Sequence, residues 1–505
     1  MTEGYQLYWG DLHNHNELGY GQGSLSRSYE IATNHLDFYA FTPHAQFCDG
    51  NAPDGYAIVV DNWPKIQRAA VESNNPGQFS AILAYEWHSK RWGHYCIYYE
   101  NDNQPLHFEM TLEGLVDYVR TQQAIMLPHH IGYRNGIDWE LFDEQISPVV
   151  EIYSEHGCCE RDGGPFPYLG HSTGPGGRPY HAQYGLSAGK KFGLIAGTDG
   201  HDGYPGGYGL GLTGVYARQN TREDIFAAIR ARRTIAVTGD RIAVTLQANE
   251  ATMGGVVKSD RPVDLIFSAE GWDTMRSVEL VRSCAPVCQF VPPYERPRVA
   301  GVQAYRLRIE WGWGPMKGLL LYDWVGELTV EGGRLNTVFP CFRSDPFDEH
   351  RRKVLTERND NCCRWQSYTS RGGPISSRNA GSSCGPTDAL VVEVIGTVDT
   401  QIGIKLNCST AQSIQSTATD WSVCNASGRG ERFIKLGDLV EGGQGIDFAR
   451  TTRTCAYVHR AIPAPLYRVS GSFRHEPSFG PAYYYVRASQ DNGQMAWSSP
   501  IWIEP

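Results

Sequence analysis

Two histidines spaced two residues apart, His13 and His15, follow the β-type run Tyr5 to Trp9. Neutral imidazole ligates zinc, manganese and iron alike, so such a pair is half of a divalent-metal site. Taken alone it is as well explained by chance. Its weight comes from a series of polar residues at the ends of later apolar runs: His44, Glu86, His129, Asp199 and His201 after theirs, and His94 at the start of its own. Thirteen of the 16 histidines lie at or before His201, which places the chemistry in the first two-fifths of the chain. A carboxylate such as Glu86, directly after the apolar run Ala81 to Tyr85, is costly to bury unpaired. Coordination would settle its charge, and a salt bridge to Lys90 or Arg91 is the plainer account. Asp199 and His201 stand in a glycine-rich turn where Asp is common for local reasons, so only their place in the series marks them. His129 and His130 are neighbours, and neighbours in an extended segment point to opposite sides, so one of the two is expected to face inward. Glu155 and His156, with Glu151, are candidates for contacts to substrate or to the site's own groups. Arg91 and Arg134, with Lys90 and Arg178, are candidate anion clamps, though solvated surface charge explains any one of them better.

The elements that must position these residues alternate. Ser24 to Asn34 reads as a helix, and Leu36 to Thr42 as a buried strand ending in Pro43-His44. Trp63 to Glu72 reads as a helix with Pro64 in its first turn. Ala81 to Tyr85 and Tyr95 to Tyr99 read as strands. Thr111 caps an amphipathic helix with Leu112, Leu115, Val116 and Val119 at helical spacing. Strands follow at Ala124 to Leu127, Val149 to Tyr153 and Phe192 to Gly197, then a helix at Thr221 to Arg233. Strand, polar loop and helix thus recur about seven times over about 235 residues, which predicts an α/β unit with a parallel sheet. A closed, distorted (β/α)7-type barrel is the economical way to bring many strand ends to one rim. From Gly239 onward alternating runs separated by Gly, Pro, Asn and Asp turns predict an all-β, sandwich-like domain. The expected division is therefore 1–238 and 239–505, with an irregular arginine- and serine-rich insertion at Ser344 to Thr387.

Composition narrows the partners. The 505 residues suffice for two or more domains, each with its own core. A net charge of −10 argues against a protein that coats nucleic acid, which needs a basic surface. No apolar run approaches the ~20 residues of a membrane helix. Met1 to Gly10 lacks a basic segment followed by an apolar one, so a cytoplasmic location with reduced thiols is expected. The 13 cysteines, nine of them after residue 280, form no CxxC…CxxC zinc pattern.

The ordered pieces Asp11-Leu12-His13-Asn14-His15, Thr42-Pro43-His44, Tyr85-Glu86-Trp87, Gly93-His94, Leu127-Pro128-His129 and Gly197-Thr198-Asp199-Gly200-His201 resemble the PHP superfamily, the polymerase-and-histidinol-phosphatase fold of metal-dependent phosphoesterases. Tyr485 to Ala488 and Ala496 to Trp502 look like the end of an uncharacterised branch in which a β-rich domain follows the PHP barrel. By position, the resemblance implies one metal held by His13, His15, Glu86 and Asp199, and a second held by Glu86, His94 and His129. His129 rather than His130 is then the inward residue. His44 and His201 would belong to a third ion, Zn, Mn or Fe like the others. Two departures leave that third site incomplete: Leu18 to Gly23 offers no ligand where the family places one, and Pro43 stands where an acidic residue is usual.

The implied activity is hydrolysis of a phosphate ester, with a metal-bridging hydroxide as nucleophile and Asp199, Glu86 and His201 as catalytic residues. The expected partner is a small anionic or carbohydrate-linked substrate, with Arg91, Arg134, Glu155 and His156 binding it. The same metal site acting on a carbohydrate or other non-phosphate substrate is the alternative that the many Trp and Tyr residues support. A barrel that has lost its chemistry and serves as a binding protein is the rival from another class.

Overall fold

The runs that read as buried strands are buried at every position: Phe38–Phe41 (β2) and Ser80–Ser89 (β4) expose nothing, the pattern of strands covered on both faces. The computed structural model describes residues 4–50, 54–170, 173–292, 301–312, 321–344, 348–370, 387–410, 428–447 and 455–505. Around β2 and β4 the chain order is β1 (Gln6–Asp11), α1 (Leu25–His35), β2, β3 (His44–Phe47), α2 (Asp54–Ser73), β4, β5 (Gly93–Tyr99), α3 (Leu112–Arg120) and β6 (Ala124–His129). Then come β7 (Val149–Ser154), β8 (Gly157–Cys158), α4 (Ala182–Ser187), β9 (Gly193–Ala196), β10 (Leu212–Ala217), α5 (Arg222–Arg230) and β11 (Thr234–Val237).

The architecture is mixed α/β and mostly sheet. One large sheet runs in the order β11-β10-β1-β2-β4-β5-β6, with β1, β2 and β4 parallel and β5, β10 and β11 antiparallel to their neighbours. The expected all-parallel barrel is not what the described strands form. Only Lys90-Arg91-Trp92 separates β4 from β5, and so short a link allows a hairpin but not the dozen or more residues of a parallel crossover. β7, β8 and β9 pair only with one another, so backbone pairing among the described residues closes no ring.

The chain divides into two compact units, but not at residue 238. The first contains residues 1–270, 276–291 and 469–505; the second contains 271–275 and 292–468. The displacement has a plain cause. The C-terminal strand Met495–Ser498 pairs with β11, Ile235 opposite Ser498, and it carries Ala482–Gln490 and Ile501–Glu504 into the same sheet. Such a pairing joins segments more than 250 residues apart, and no local pattern announces it. Among the described residues of the second unit the strands are antiparallel and form one nine-stranded sheet, where two facing sheets were expected. Leu321–Cys341 and Thr387–Thr410, of 21 and 24 residues, pair through bulges along most of their length and so hold the sheet in one piece. The stretch expected to be irregular contains the strands Val354–Arg358 and Cys362–Ser370; its residues 345–347 and 371–386 lie outside the described set.

Pro64 is also placed differently. It lies inside α2, which begins a full two turns earlier than its apolar C-terminal half suggested. Val59, Trp63, Ile66 and Ala70 form one buried helical face, so burial extends the helix upstream despite the ~3 kcal/mol that an interior proline costs. No helix among the described residues is long and apolar enough to cross a membrane. The adjacent pairs Cys158-Cys159 and Cys362-Cys363 carry free thiols.

Candidate metal centre

The polar series meets where β1, β2, β6 and β9 end. Asp11, the last residue of β1, is fully buried and accepts four hydrogen bonds: from the His13 and Thr198 amides (both 3.1 Å), the Thr198 hydroxyl (2.6 Å) and the Gly206 amide (2.9 Å). Asn14 adds a bridge to Gly200 and donates to the Thr198 hydroxyl at 3.1 Å. One carboxylate and one hydroxyl therefore lace the loop carrying His13 and His15 to the loop carrying Asp199 and His201. Asp199 is held in the left-handed region at φ 53°, a conformation Asp tolerates better than most residues and that functional sites often retain.

Glu86 is the hub. β4 does not stop at Glu86 but runs on to Ser89, so Glu86 and His88 project from the same face of one strand. Across the hairpin His88 stands opposite His94, and His94 stands opposite His129 on β6. Three imidazoles thus form a row over three strands in register. Glu86 Oε1 lies 2.7 Å from His129 Nε2 and 3.2 Å from both His94 Nδ1 and His88 Nε2. Glu86 Oε2 faces the other way, 3.2 Å from His44 Nδ1, 3.4 Å from His15 Nε2 and 3.6 Å from His13 Nε2. Lys90 and Arg91 take no part: their cations lie over the rings of Phe47 and Trp92.

This arrangement suits cations better than hydrogen bonds. The two oxygens of a carboxylate offer about four lone-pair sites, fewer than the six imidazoles around Glu86. Glu86 Oε2 and His15 Nδ1 are buried, and neither takes part in a hydrogen bond. His13 Nδ1 faces Glu151 Oε2 at 3.0 Å, which as proton donor leaves Nε2 with a bare lone pair. That lone pair confronts three more donor atoms: Asp199 Oδ1 at 3.2 Å, His15 Nε2 at 3.3 Å and Glu86 Oε2 at 3.6 Å, with His15 Nε2 also 3.0 Å from Asp199 Oδ1. Four donors around an ion with bonds of about 2.0–2.1 Å would stand about 3.3–3.4 Å apart. The residues present fit a divalent ion.

The electrostatics agree for five of the imidazoles; His13 and His201 are held protonated by the carboxylates beside them, so an ion there would take the place of a proton. Burial pushes the imidazoles of His15 and His129 down to about 4, and those of His44, His88 and His130 well below their ordinary value, so their lone pairs are available at neutral pH. For His13 burial opposes protonation, but Asp199, Cys96 and Glu151 outweigh it and hold the ring well above its ordinary value. His201 rises to about 9 against burial, through Glu155 and Asp199. Burial also opposes the charges of Glu86 and Asp199, yet the surrounding imidazoles keep both carboxylates well below their usual range. Glu151, buried with only His13 to offset it, rises to about 7.

The structure brings together all eight residues of the expected ligand series: His13, His15, His44, Glu86, His94, His129, Asp199 and His201. His44 Nε2 and His201 Nε2 stand 3.0 Å apart, and the His15 ring stacks on His44 at 4.1 Å. Of the four expected substrate contacts, two reach the cluster. His156 Nε2 lies 3.2 Å from Asp199 Oδ2, and Glu155 Oε1 lies 3.5 Å from His201 Nδ1. Arg91 and Arg134 are exposed, and the Arg134 guanidinium donates to the Thr173 carbonyl. The expectation that His130 would turn away is wrong. His130 sits at φ 53°, which breaks the alternation of the strand and swings its Nε2 to 2.9 Å from Asp199 Oδ2. A strand ending at Glu86 leaves His88 out of the series; the i, i+2 spacing of Glu86 and His88 is the signal in the sequence that points to it.

A family described as a protein of unknown function (DUF3604) matches residues 206–266. An uncharacterized protein of Chlamydia muridarum (strain MoPn / Nigg) is 25% identical over 315 residues, 57% of this chain and 49% of its own length. An uncharacterized protein of Chlamydia trachomatis serovar D is 25% identical over 306 residues, 55% of this chain and 48% of its own length. The chain thus spans about half the length of the curated relatives it matches. Among solved structures, a two-domain protein of Bacteroides vulgatus ATCC 8482, described as containing a predicted PHP-like metal-dependent phosphoesterase, is similar at a TM-score of 0.33 and 13% identity, over 81% of this chain and 91% of its own.

Proposed function

We propose that this protein is a metal-dependent hydrolase that cleaves a phosphate ester of a small anionic substrate at a PHP-type centre of at least two divalent ions. The observation that carries the reading is the two-sided placement of Glu86, whose two buried oxygens face separate sets of imidazoles. His13, His15, Glu86 Oε2 and Asp199 Oδ1 would hold one ion; Glu86 Oε1, His94 and His129 would hold another, with Zn, Mn or Fe suited to so nitrogen-rich a set. When bound, such ions supply Lewis acidity toward a phosphoryl oxygen and a hydroxide nucleophile at neutral pH.

The chain's own groups do the rest. Glu151 fixes the tautomer and angle of His13. The Asp199 carbonyl, 2.9 Å from His201 Nδ1, does the same for His201. Asp199 Oδ2 points away from His13 and His15 toward His130 and His156, and is the atom placed to accept a proton. The Tyr133 hydroxyl, 2.8 Å from His156 Nδ1, orients that ring toward Asp199. A carbohydrate or other non-phosphate ester is the second reading, favoured by the absence of Arg91 and Arg134 from the cluster. The test is a hydrolysis screen of phosphomonoesters, phosphodiesters, sulfate esters and glycans with Zn, Mn and Fe in turn. Turnover confined to phosphate esters supports the first reading, and turnover confined to the others replaces it.

A further inference from the structure

Three imidazoles converge on a single oxygen, Glu86 Oε1, and one of them has no counterpart in the ligand series. His88 is 2% exposed, its Nε2 lies 3.2 Å from that oxygen, and it also contacts His44 Nδ1. One carboxylate oxygen has about two lone-pair sites, so three ring nitrogens at 2.7–3.2 Å exceed what it can satisfy by accepting protons. The register explains why all three arrive together. His88, His94 and His129 occupy directly opposed positions on β4, β5 and β6, and directly opposed residues of an antiparallel pair share a face of the sheet. A histidine kept only to fill space would not need to share that face with Glu86.

We propose that His88 is itself a metal ligand, which with His94, His129 and Glu86 Oε1 makes a donor set of three imidazoles and one carboxylate. The inference rests on the metal-centre reading above and adds to it both a ligand and a preference. Three nitrogens and one carboxylate select ions such as zinc, iron or cobalt over magnesium or calcium, which prefer all-oxygen sites. A purely structural His88 would instead donate one N–H to Glu86, and the two roles respond differently to substitution. Glutamine and asparagine can replace an N–H donor but are poor ligands for such ions, whereas aspartate can ligate but cannot donate.

The experiment measures metal content by elemental analysis on the full-length protein, loaded with zinc and dialysed, for the wild type, His88→Gln, His88→Asn, His88→Asp and His94→Gln. The expected result is that His88→Gln and His88→Asn each lose one equivalent of zinc, or bind it at least tenfold more weakly, as His94→Gln does, and that His88→Asp recovers it. Wild-type zinc content and affinity in either amide variant would overturn the proposal while leaving the Glu86-centred reading intact. The same result follows if the amides bind zinc normally and only His88→Asp is impaired. The wild type is also loaded with manganese, iron and cobalt in turn, and a protein that takes up none of the four ions overturns the metal-centre reading and this inference with it.

Discussion

Replacing Thr198 with Val removes one hydroxyl from a fully buried position and leaves nearly the same volume behind. In the folded protein that hydroxyl lies 2.6 Å from Asp11 Oδ2 and 2.9 Å from the His13 carbonyl, and it accepts from Asn14 Nδ2 and the Gly200 amide. A hydrogen bond to a charged group is worth about 1.5–3 kcal/mol, and orphaning the Gly200 amide costs a further ~1–3 kcal/mol. Asn14 keeps the Gly200 carbonyl at 3.2 Å, so its loss is small. The added methyl returns about 0.8 kcal/mol. The net expectation is about 3 kcal/mol, which at roughly 2 °C per kcal/mol lowers the melting temperature by about 6 °C. Differential scanning calorimetry of Thr198→Val and Thr198→Ser, both free of added metal, is the assay. Serine keeps the hydroxyl and loses only a methyl, so it should cost no more than about 1 kcal/mol. Equal melting temperatures for the two variants would refute the claim that this hydroxyl laces the histidine loop to the Asp199 loop.

Three further outcomes are expected. Leu115→Ala in α3 empties a fully buried position beside Leu112 and Val119 and should cost about 2–5 kcal/mol in denaturant unfolding; a loss below about 1 kcal/mol would contradict the assigned helix face. Glu310 in the second unit is held down to about 2: burial opposes its charge, but hydrogen bonds with His459 and Thr387 outweigh it. A depressed carboxylate contributes stability above its ordinary value of 4.5 that is lost as pH falls through about 2, so the stability gap between wild type and Glu310→Gln should be full above pH 5 and close toward pH 2 in acid unfolding. A gap independent of pH would remove the role given to that charge. His44→Ala should retain at least one tightly bound ion by elemental analysis, because the His13, His15, Glu86 and Asp199 set does not include it; complete loss of metal would make His44 part of the primary set.

How much of this was legible in the sequence depends on the range of the interaction. The polar series that converges here was legible because its members stand near the ends of apolar runs, and a run's end is a local feature. The helix capped by Thr111 was legible for the same reason, and its side chain accepts from the Gly114 amide as the pattern implied. His130 was not, because a single left-handed residue reverses which side a strand presents, and although histidine is enriched in that conformation over most residues, it is uncommon there even so. The direction of β5 could have been read from the three-residue link before it, but the strand–helix rhythm elsewhere suggested a parallel order. The place of the C-terminal strands could not have been read from any window, since Ile235 and Ser498 meet only in the fold.

The central claim is that the two oxygens of Glu86 serve two separate ions. The most direct test is elemental analysis of wild type and Glu86→Gln, expressed and loaded identically, with hydrolytic turnover measured on the same samples. Glutamine keeps the size of the side chain but removes the charge that offsets two dications and replaces one oxygen with an N–H donor facing imidazoles. The prediction is at least two equivalents of metal in the wild type, and loss of metal and turnover together in the variant. A Glu86→Gln protein with full metal content and normal turnover would contradict the bridging role and the two-metal site built on it.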